Sequence, residues 1–244
     1  MMSIKNFTYQ EELINEVKKG NSVVGNWARG GGKDFTLARI LFELKPKKVL
    51  YVDDKYNGGR FLNESIKELM DTDKESRSSV EKVEYSKFHN KLTVEFRTGE
   101  LIEVMFEFTK TSKWTLDLIL FNDYFHDTFS GTGVPYVFMT TRNNSDAKLQ
   151  KQHKCRVVEA DIYDLLEEGY YSKEMARKLP NNKAFYQQWG ILSSIPKREK
   201  VTVVNFKEEA SKKLMNQFLD TPDTKDTVLT RKNIIEMLKD LKQI

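Results

Sequence analysis

Three consecutive glycines followed by a lysine, Gly30-Gly31-Gly32-Lys33, constrain the fold of this chain more than any other feature. The short apolar segment 22–26 precedes them and predicts a strand, and from Lys33 onward apolar residues recur at helical spacing. Glycine lets backbone N–H groups approach an anion closely, and the N-terminus of a helix adds partial positive charge. The run therefore predicts a phosphate-binding loop between a strand and a helix, with Lys33 supplying a full positive charge to the phosphates.

The loop departs from the usual phosphate-loop pattern, G-x-x-x-x-G-K-[ST], at two positions. Gly32 and Lys33 match it, whereas Trp27 occupies the first glycine position and Asp34 occupies the position of the hydroxyl that helps to hold Mg²⁺. The alternative interpretation is a glycine-rich turn with a surface lysine. The predicted strand before the loop and the predicted helix after it favour the nucleotide site.

Several apolar segments outside the loop predict the strands of a sheet. Segment 48–52 predicts a second strand, so the chain opens as strand, glycine loop, helix and strand, which favours a parallel pair of strands. Alternating residues over 91–97 and 101–106 predict a hairpin. Continuous apolar runs over 116–121 and 134–139 predict central strands covered on both faces.

Two further stretches define the extent of the core. The polar residues 71–79 predict a surface loop, and beyond residue 160 the pattern changes to helices. We therefore predict an α/β fold of the P-loop NTPase type, with a mostly parallel central sheet flanked by helices, over residues 1–160. A small helical C-terminal part, a lid or extension, is predicted over residues 161–244.

Composition narrows the classes of protein that fit. Hydrophobic residues make up 39% of the chain and charged residues 31%, which is typical of a globular protein. No apolar run reaches the roughly 20 residues that a membrane-spanning helix needs, and the single cysteine, Cys155, permits no intrachain disulfide. These features predict a cytoplasmic protein without a membrane partner. The net charge of +4 permits nucleic-acid binding without requiring it.

Around the loop, the sequence resembles the ATPase domain of phage large terminases. Arg29 stands four positions before Lys33, as in the variant phosphate loop of that family, and the resemblance implies that it senses or stabilises the γ-phosphate. Upstream, Phe7-Thr8-Tyr9-Gln10 is similar to the adenine-reading element of helicases and terminases, in which the Gln10 amide pairs with adenine and an aromatic such as Tyr9 stacks on the base. The alternative is an ordinary helix N-terminus that Thr8 caps.

An acidic strand end extends the resemblance. Family members read roughly D-[apolar]4-D-E, and residues 117–123 read Asp-Leu-Ile-Leu-Phe-Asn-Asp. Asn122 therefore replaces the metal-ordering aspartate, and Asp123 replaces the glutamate that activates water. The resemblance implies ATP and Mg²⁺ as cofactors, with Asp34, Asn122 and Asp123 around the metal ion. We hypothesise that the carboxylate of Asp34 compensates for the one that Asn122 lacks.

The segment that follows resembles the coupling motif of the same family. Thr140 and Thr141 hold the positions of the small hydroxyl residues that link hydrolysis to movement, and segment 165–189 is similar to the family's lid region. A full large terminase continues into a nuclease domain of RNase H type, for which residues 190–244 are too few. We therefore expect no nuclease activity.

The resemblance implies an ATP-hydrolysing motor that packages double-stranded DNA into a viral capsid, with Lys33, Asp123 and Arg29 as its catalytic residues. It also implies a homo-oligomeric ring on a portal protein, a separate nuclease or small terminase subunit, and the cytoplasm of the host cell as the location of a viral protein. Two alternatives stay open. One is a helicase-like ATPase that depends on nucleic acid, and the other is a nucleotide-binding assembly subunit whose catalysis is weakened at Asp34 and Asn122.

Overall fold

The computed structural model describes residues 7–53, 59–106, 115–125, 132–141 and 146–170 of the 244-residue chain. The helices in these ranges are α1 (Thr8–Lys18), α2 (Lys33–Leu44), α3 (Arg60–Thr72), α4 (Lys74–Ser79), α5 (Asp146–His153) and α6 (Ile162–Glu167). The strands are β1 (Val23–Trp27), β2 (Lys48–Val52), β3 (Val80–Ser86), β4 (Lys91–Phe96), β5 (Leu101–Met105), β6 (Leu118–Asn122), β7 (Tyr136–Thr141) and β8 (Arg156–Ala160).

The described strands form one mostly parallel sheet. Their order across the sheet is β3-β4-β5-β2-β6-β7-β1-β8. Strand β2 pairs in parallel with both β5 and β6, and β6 pairs in parallel with β7. At one side of the sheet, β4 runs antiparallel to both of its neighbours, β3 and β5. The predicted α/β class with a mostly parallel central sheet is confirmed.

The first two strands, β1 and β2, do not pair with each other, which corrects the parallel pair expected from the opening of the chain. Strands β6 and β7 lie between them in the sheet. Every residue of β6 is buried, as are the first five of the six residues of β7. Burial of both faces is typical of strands at the centre of a sheet, where β6 and β7 lie. The connection from β1 through α2 to β2 therefore crosses over them.

The predicted hairpin is confirmed, whereas the surface loop predicted over residues 71–79 is wrong. Strands β4 and β5 pair antiparallel, with Val94 opposite Ile102, and the Gly99 N–H donates to the Phe96 carbonyl (2.8 Å) to close the turn. Residues 74–79, expected in a loop, form α4, and β3 follows it directly. Helix α4 contains no buried residue, so no apolar periodicity marked it in the sequence.

A compact group of side chains from β1, β2, β6 and β7 packs together in the core. It contains Val24, Leu50, Ile119, Phe121, Tyr136 and Phe138, all of them buried. Helix α1 buries Leu13, Ile14 and Val17, whose spacing places them on one face of the helix. Strands and helices that bear site residues are therefore anchored in a packed interior.

The described residues fall into two compact units. The first takes those up to Asn26, those from Gly32 to Thr140, and those from Asp146 to Val158; the second takes 27–31, Thr141 and 159–170. In the second unit Asp161 caps α6 in a capping box with Asp164, whose carboxylate accepts from the Asp161 N–H (2.7 Å). Most of the predicted lid and C-terminal helices, from residue 171 onward, lie outside the described residues. The boundary at residue 160 stays a prediction.

Among the helices of the described ranges, none is both long and apolar enough to pass through a bilayer.

Candidate functional site

The three glycines of the loop are required for two different reasons. Gly30 and Gly32 have φ values of 78° and 77°, in the left-handed region that residues with a side chain rarely adopt. Gly31 lacks that conformation, but a Cβ there would lie 3.1 Å from the carbonyl oxygen of Ala28. The loop therefore has a backbone path that other residues would strain or crowd.

The loop leads straight into the N-terminus of α2. Gly32 is the N-cap residue, and no side chain caps this end of α2 in the described structure. The Thr36 hydroxyl instead donates to the Gly32 carbonyl oxygen (2.9 Å), which holds the first turn against the end of the loop. A helix N-terminus without a side-chain cap favours an anion, because the dipole places partial positive charge there.

Lys33 forms an ion pair with Asp123, 90 positions further along the chain. The Lys33 side chain is 9% exposed and the Asp123 side chain 50% exposed. Asp123 has a φ of 56°, and its N–H donates to the Met139 carbonyl oxygen (2.7 Å), which anchors it to β7. Left-handed backbone at a residue other than glycine is uncommon and often marks a functional site. Two of the predicted catalytic residues are thus brought together.

Beside this pair, Asn122 links the first turn of α2 to β2. Its Nδ2 group donates to Asp34 Oδ1 (2.6 Å) and to the hydroxyl oxygen of Tyr51 (3.0 Å). Asn122 is buried at the end of β6, and Tyr51 is fully buried within β2. Positions 34 and 122, two of those at which the sequence departs from the usual motifs, therefore hydrogen-bond each other directly.

Burial dominates the acid–base properties of this network. It raises the pKa of Asp34, although the nearby Lys33 ammonium and the Asn122 amide act in the opposite direction. Burial also raises the pKa of Tyr51 well above its ordinary value, and the charges of Asp34 and Asp53 add to the effect. The Tyr51 phenol consequently stays protonated at neutral pH.

The donor set fits a magnesium ion that is held chiefly by phosphate and water. Asn122 Oδ1 is buried and has no hydrogen-bond partner in the described structure, so this carbonyl oxygen is available to a cation or its water. Asp34 and Asp123 add two carboxylates. Among the described residues, no group of three or more His, Cys, Asp and Glu side chains is arranged so that it could hold a metal ion. Mg²⁺ commonly binds through one or two carboxylates and substrate phosphates, without a complete protein cage.

The predicted coupling residues lie at the end of the neighbouring strand. Asn122 and Met139 are opposite each other in the β6–β7 register, so Thr140 follows at the level of Asp123. Thr140 is buried, and Thr141, in the second unit, is half-buried. The strand that bears Thr140 therefore runs beside the strand end that bears Asn122 and Asp123.

Three further residues were predicted for the site: Tyr9, Gln10 and Arg29. Tyr9 and Gln10 are both buried in α1, which a hydrogen bond from Arg39 to Glu11 (2.6 Å) connects to α2. Arg29 is exposed and belongs to the second unit. Their roles in nucleotide binding stay predictions.

The sequence pattern did not identify Tyr51 as a site residue, because segment 48–52 predicts only an apolar strand. A buried tyrosine usually finds a hydrogen-bond partner for its hydroxyl, and that is the signal that its sequence offered. The pattern of segment 48–52 alone did not identify Asn122 as this partner, because the two residues are 71 positions apart.

Two solved structures are similar to this chain over most of its length. The large terminase ATPase domain of Thermus phage P74-26 matches with a TM-score of 0.51 and 13% identity, over 76% of this chain and 93% of that one. The large terminase of bacteriophage HK97 matches with a TM-score of 0.52 and 11% identity, over 82% of this chain and 56% of that one. No family model and no curated protein matches the sequence. The protein therefore has the fold of the phage large terminase ATPase domains.

Proposed function

We propose that this protein is an ATP-hydrolysing motor that translocates double-stranded DNA during packaging into a viral capsid. The observation that carries the proposal is the meeting of Lys33, Asp34, Asn122 and Asp123 at the uncapped N-terminus of α2 and the carboxyl end of β6. Ligands of open α/β sheets bind at the carboxyl ends of the strands. The terminase fold supports the same function.

The glycine loop and α2 are proposed to hold the phosphates of ATP. Backbone N–H groups of Gly30, Gly31 and Gly32 and the ammonium group of Lys33 supply the positive potential, and Tyr9 and Gln10 are the proposed adenine contacts. Asp34, Asn122 and Asp123 would hold Mg²⁺, directly or through water. When bound, Mg²⁺ neutralises charge that develops on the phosphate oxygens.

The Lys33–Asp123 ion pair suggests how nucleotide binding prepares the site. Phosphate oxygens compete with the Asp123 carboxylate for the Lys33 ammonium group, because both are anions that the same cation attracts. As Lys33 turns to phosphate, Asp123 is released to accept a hydrogen bond from the attacking water and to orient it. Arg29 is the proposed stabiliser of the γ-phosphate, and Thr140 and Thr141 are the proposed coupling residues.

The partners follow from the same proposal. A packaging motor needs duplex DNA, and the mildly basic net charge of +4 is compatible with binding it. We propose a homo-oligomeric ring that acts on a portal protein, with a separate nuclease or small terminase subunit, in the host cytoplasm if the protein is viral.

A second candidate function is a nucleotide-binding assembly subunit with weakened catalysis. Asn122 supports it, because an amide oxygen holds Mg²⁺ less strongly than the carboxylate of the related motif would. Asp123 supports it as well, since its side chain is one methylene shorter than glutamate and is paired with Lys33. Nucleotide binding without phosphate release is the expected behaviour of such a subunit.

The deciding experiment measures ATP hydrolysis with and without double-stranded DNA. Duplex DNA should stimulate phosphate release, and Lys33→Ala should reduce it by about 100-fold or more, because it removes a charge on the phosphates. Lys82→Ala, which removes an exposed lysine paired with Glu84 on β3, is the matched control and should retain wild-type activity.

Other outcomes would separate the alternatives. Nucleotide binding with no phosphate release would identify the assembly subunit. Stimulation by single strands together with strand separation would identify a helicase-like enzyme. Absence of nucleotide binding in the wild type would refute all three functions.

A further inference from the structure

The amide group of Asn122 is held in one orientation by two hydrogen bonds. A primary amide has two N–H donors, and here the Nδ2 group donates to Asp34 Oδ1 at 2.6 Å and to the Tyr51 hydroxyl at 3.0 Å. The carbonyl oxygen Oδ1 is buried and has no partner in the described structure. A buried acceptor left without a hydrogen bond costs free energy, so its persistence requires an explanation.

Asp34 decides which way the amide faces. If the amide rotated by half a turn, Oδ1 would face the Asp34 carboxylate, and two acceptors at 2.6 Å would repel each other. The Tyr51 hydroxyl can donate or accept, so it does not choose between the two orientations. It does hold the second N–H, and thereby limits tilting of the amide once Asp34 has set its direction.

Tyr51 is suited to this role because it is itself rigid. The side chain is fully buried in a central strand, where β2 pairs with both β5 and β6, and its ring packs edge-on against Phe106 at 6.0 Å. The register that places Tyr51 opposite Leu120 brings its strand alongside β6, whose last residue is Asn122. The hydroxyl is thus fixed by the sheet before any ligand binds.

We propose that Tyr51 is a positioning residue for the divalent cation that accompanies the nucleotide. Together with Asp34 it holds Asn122 so that Oδ1 faces the cation or its water, while Asp34 supplies the negative charge that an aspartate at position 122 would have carried. The proposal rests on the proposed nucleotide-binding function and assigns a role to a residue that acts only through Asn122.

The test measures cation binding separately from activity. Mn²⁺, as a paramagnetic substitute for Mg²⁺, is titrated into the protein with a nonhydrolysable ATP analogue and followed by electron paramagnetic resonance. Tyr51→Phe should weaken Mn²⁺ binding by about 10-fold, because residues that orient metal ligands typically contribute this much. Affinity for the analogue in the presence of EDTA should not change.

Tyr136→Phe is the matched control. It also removes a tyrosine hydroxyl, in this case at the start of β7. That hydroxyl donates to the carbonyl oxygen of His153 (3.3 Å), outside the Asn122 network. Mn²⁺ affinity should be unchanged in this variant. Equal losses in the two variants, or an equal loss of analogue affinity with and without the cation, would reveal a merely structural role and overturn the proposal.

A double-mutant comparison tests whether Tyr51 acts through Asn122. In an Asn122→Ala background, adding Tyr51→Phe should have no further effect on Mn²⁺ affinity, and a second full loss would overturn the proposal. If Tyr51→Phe does not fold, Asn122→Ala alone must weaken Mn²⁺ binding by at least about 10-fold. Unchanged Mn²⁺ affinity in Asn122→Ala would refute the positioning role. If the wild type binds no nucleotide, the proposed function fails as well. If the wild type binds nucleotide but the variants bind Mn²⁺ as tightly as it does, only the positioning role fails.

Discussion

At the scale of single residues, the ion pair between Lys33 and Asp123 is the contact with which a bound nucleotide would compete. The Asp123 side chain is half-exposed, so water and salt screen the attraction, and such pairs contribute at most about 1 kcal/mol. Triphosphate carries several negative charges and can displace a single carboxylate at this modest cost. The pair is therefore compatible with a site that opens when nucleotide binds.

Replacing Asp123 by asparagine should separate binding from turnover. Asp123→Asn keeps the shape of the side chain but removes the charge that pairs with Lys33 and the proposed base that orients water. We expect phosphate release to fall by about 10²- to 10⁴-fold. Nucleotide affinity measured in EDTA, where the proposed Mg²⁺ contact of Asp123 does not contribute, should stay equal or become tighter. Phosphate-release kinetics and equilibrium nucleotide titration measure the two quantities.

Asp117→Asn is the matched control for that variant. Asp117 lies just before β6, where its carboxylate accepts from the Lys48 N–H (2.9 Å), and asparagine can accept the same bond. Turnover should therefore survive in Asp117→Asn. Wild-type turnover in Asp123→Asn would remove Asp123 from the proposed catalytic residues.

At the scale of secondary-structure elements, Asp73 shows how a local hydrogen bond starts a helix that the apolar pattern did not predict. Its carboxylate accepts from the Ser76 N–H (2.9 Å) and the Ser76 hydroxyl (2.6 Å) at the beginning of α4. Helix α4 then leads into β3, which pairs with β4 in the sheet. An aspartate or serine at this position is a recognised start signal, but residues 71–79 contain so many polar residues that the signal was not distinctive.

Removing this cap should cost stability in a pH-dependent way. Asp73→Ala should lower the free energy of unfolding by about 1 kcal/mol at neutral pH. Asp73→Asn should retain most of the wild-type stability, because asparagine also caps helices well. Burial acts to raise the pKa of Asp73. The hydrogen bonds from Ser76 and from the Glu75 backbone, together with the charge of Arg39, outweigh it and lower the pKa below its ordinary value of 3.8.

The sign of the pH dependence follows from that lowered pKa. The stabilisation by the ionised carboxylate is fully present above pH 3.8 and is lost as the pH falls through the lower pKa of the folded protein. Urea unfolding between about pH 7 and pH 2 should therefore show the wild type approaching Asp73→Ala at the acid end. A constant difference between the two proteins over that range would contradict this account.

At the scale of the whole chain, charged contacts between distant segments hold α1 in place. The Arg39 side chain, 8% exposed, donates from α2 to Glu11 of α1 (2.6 Å) and to Glu43 (2.8 Å). Arg156 of β8 pairs with Glu12 and Glu16 of the same helix, but its side chain is 55% exposed. One helix is thus attached by a buried and by a surface cluster of ion pairs.

The two arginines should differ in their contribution to stability. Arg39→Ala leaves two partly buried carboxylates without their cation and should lower the free energy of unfolding by about 1–3 kcal/mol. Arg156→Ala should change it by less than about 1 kcal/mol, because exposed ion pairs are weak. Urea unfolding followed by circular dichroism measures both, and equal effects would show that burial does not govern these contacts.

Local patterns were enough to predict three parts of this protein: the strand, glycine loop and helix around Lys33, the hairpin over β4 and β5, and the apolar strand that ends at Asn122. Each depends on residues within a few positions of one another, through turn geometry and periodicity. The folded chain was needed to reveal that β6 and β7 separate β1 from β2, that Lys33 pairs with Asp123, and that Tyr51 and Asp34 both bind Asn122. Those contacts join residues 71 to 90 positions apart, and they depend on the order in which strands pair across the sheet, which local patterns do not contain.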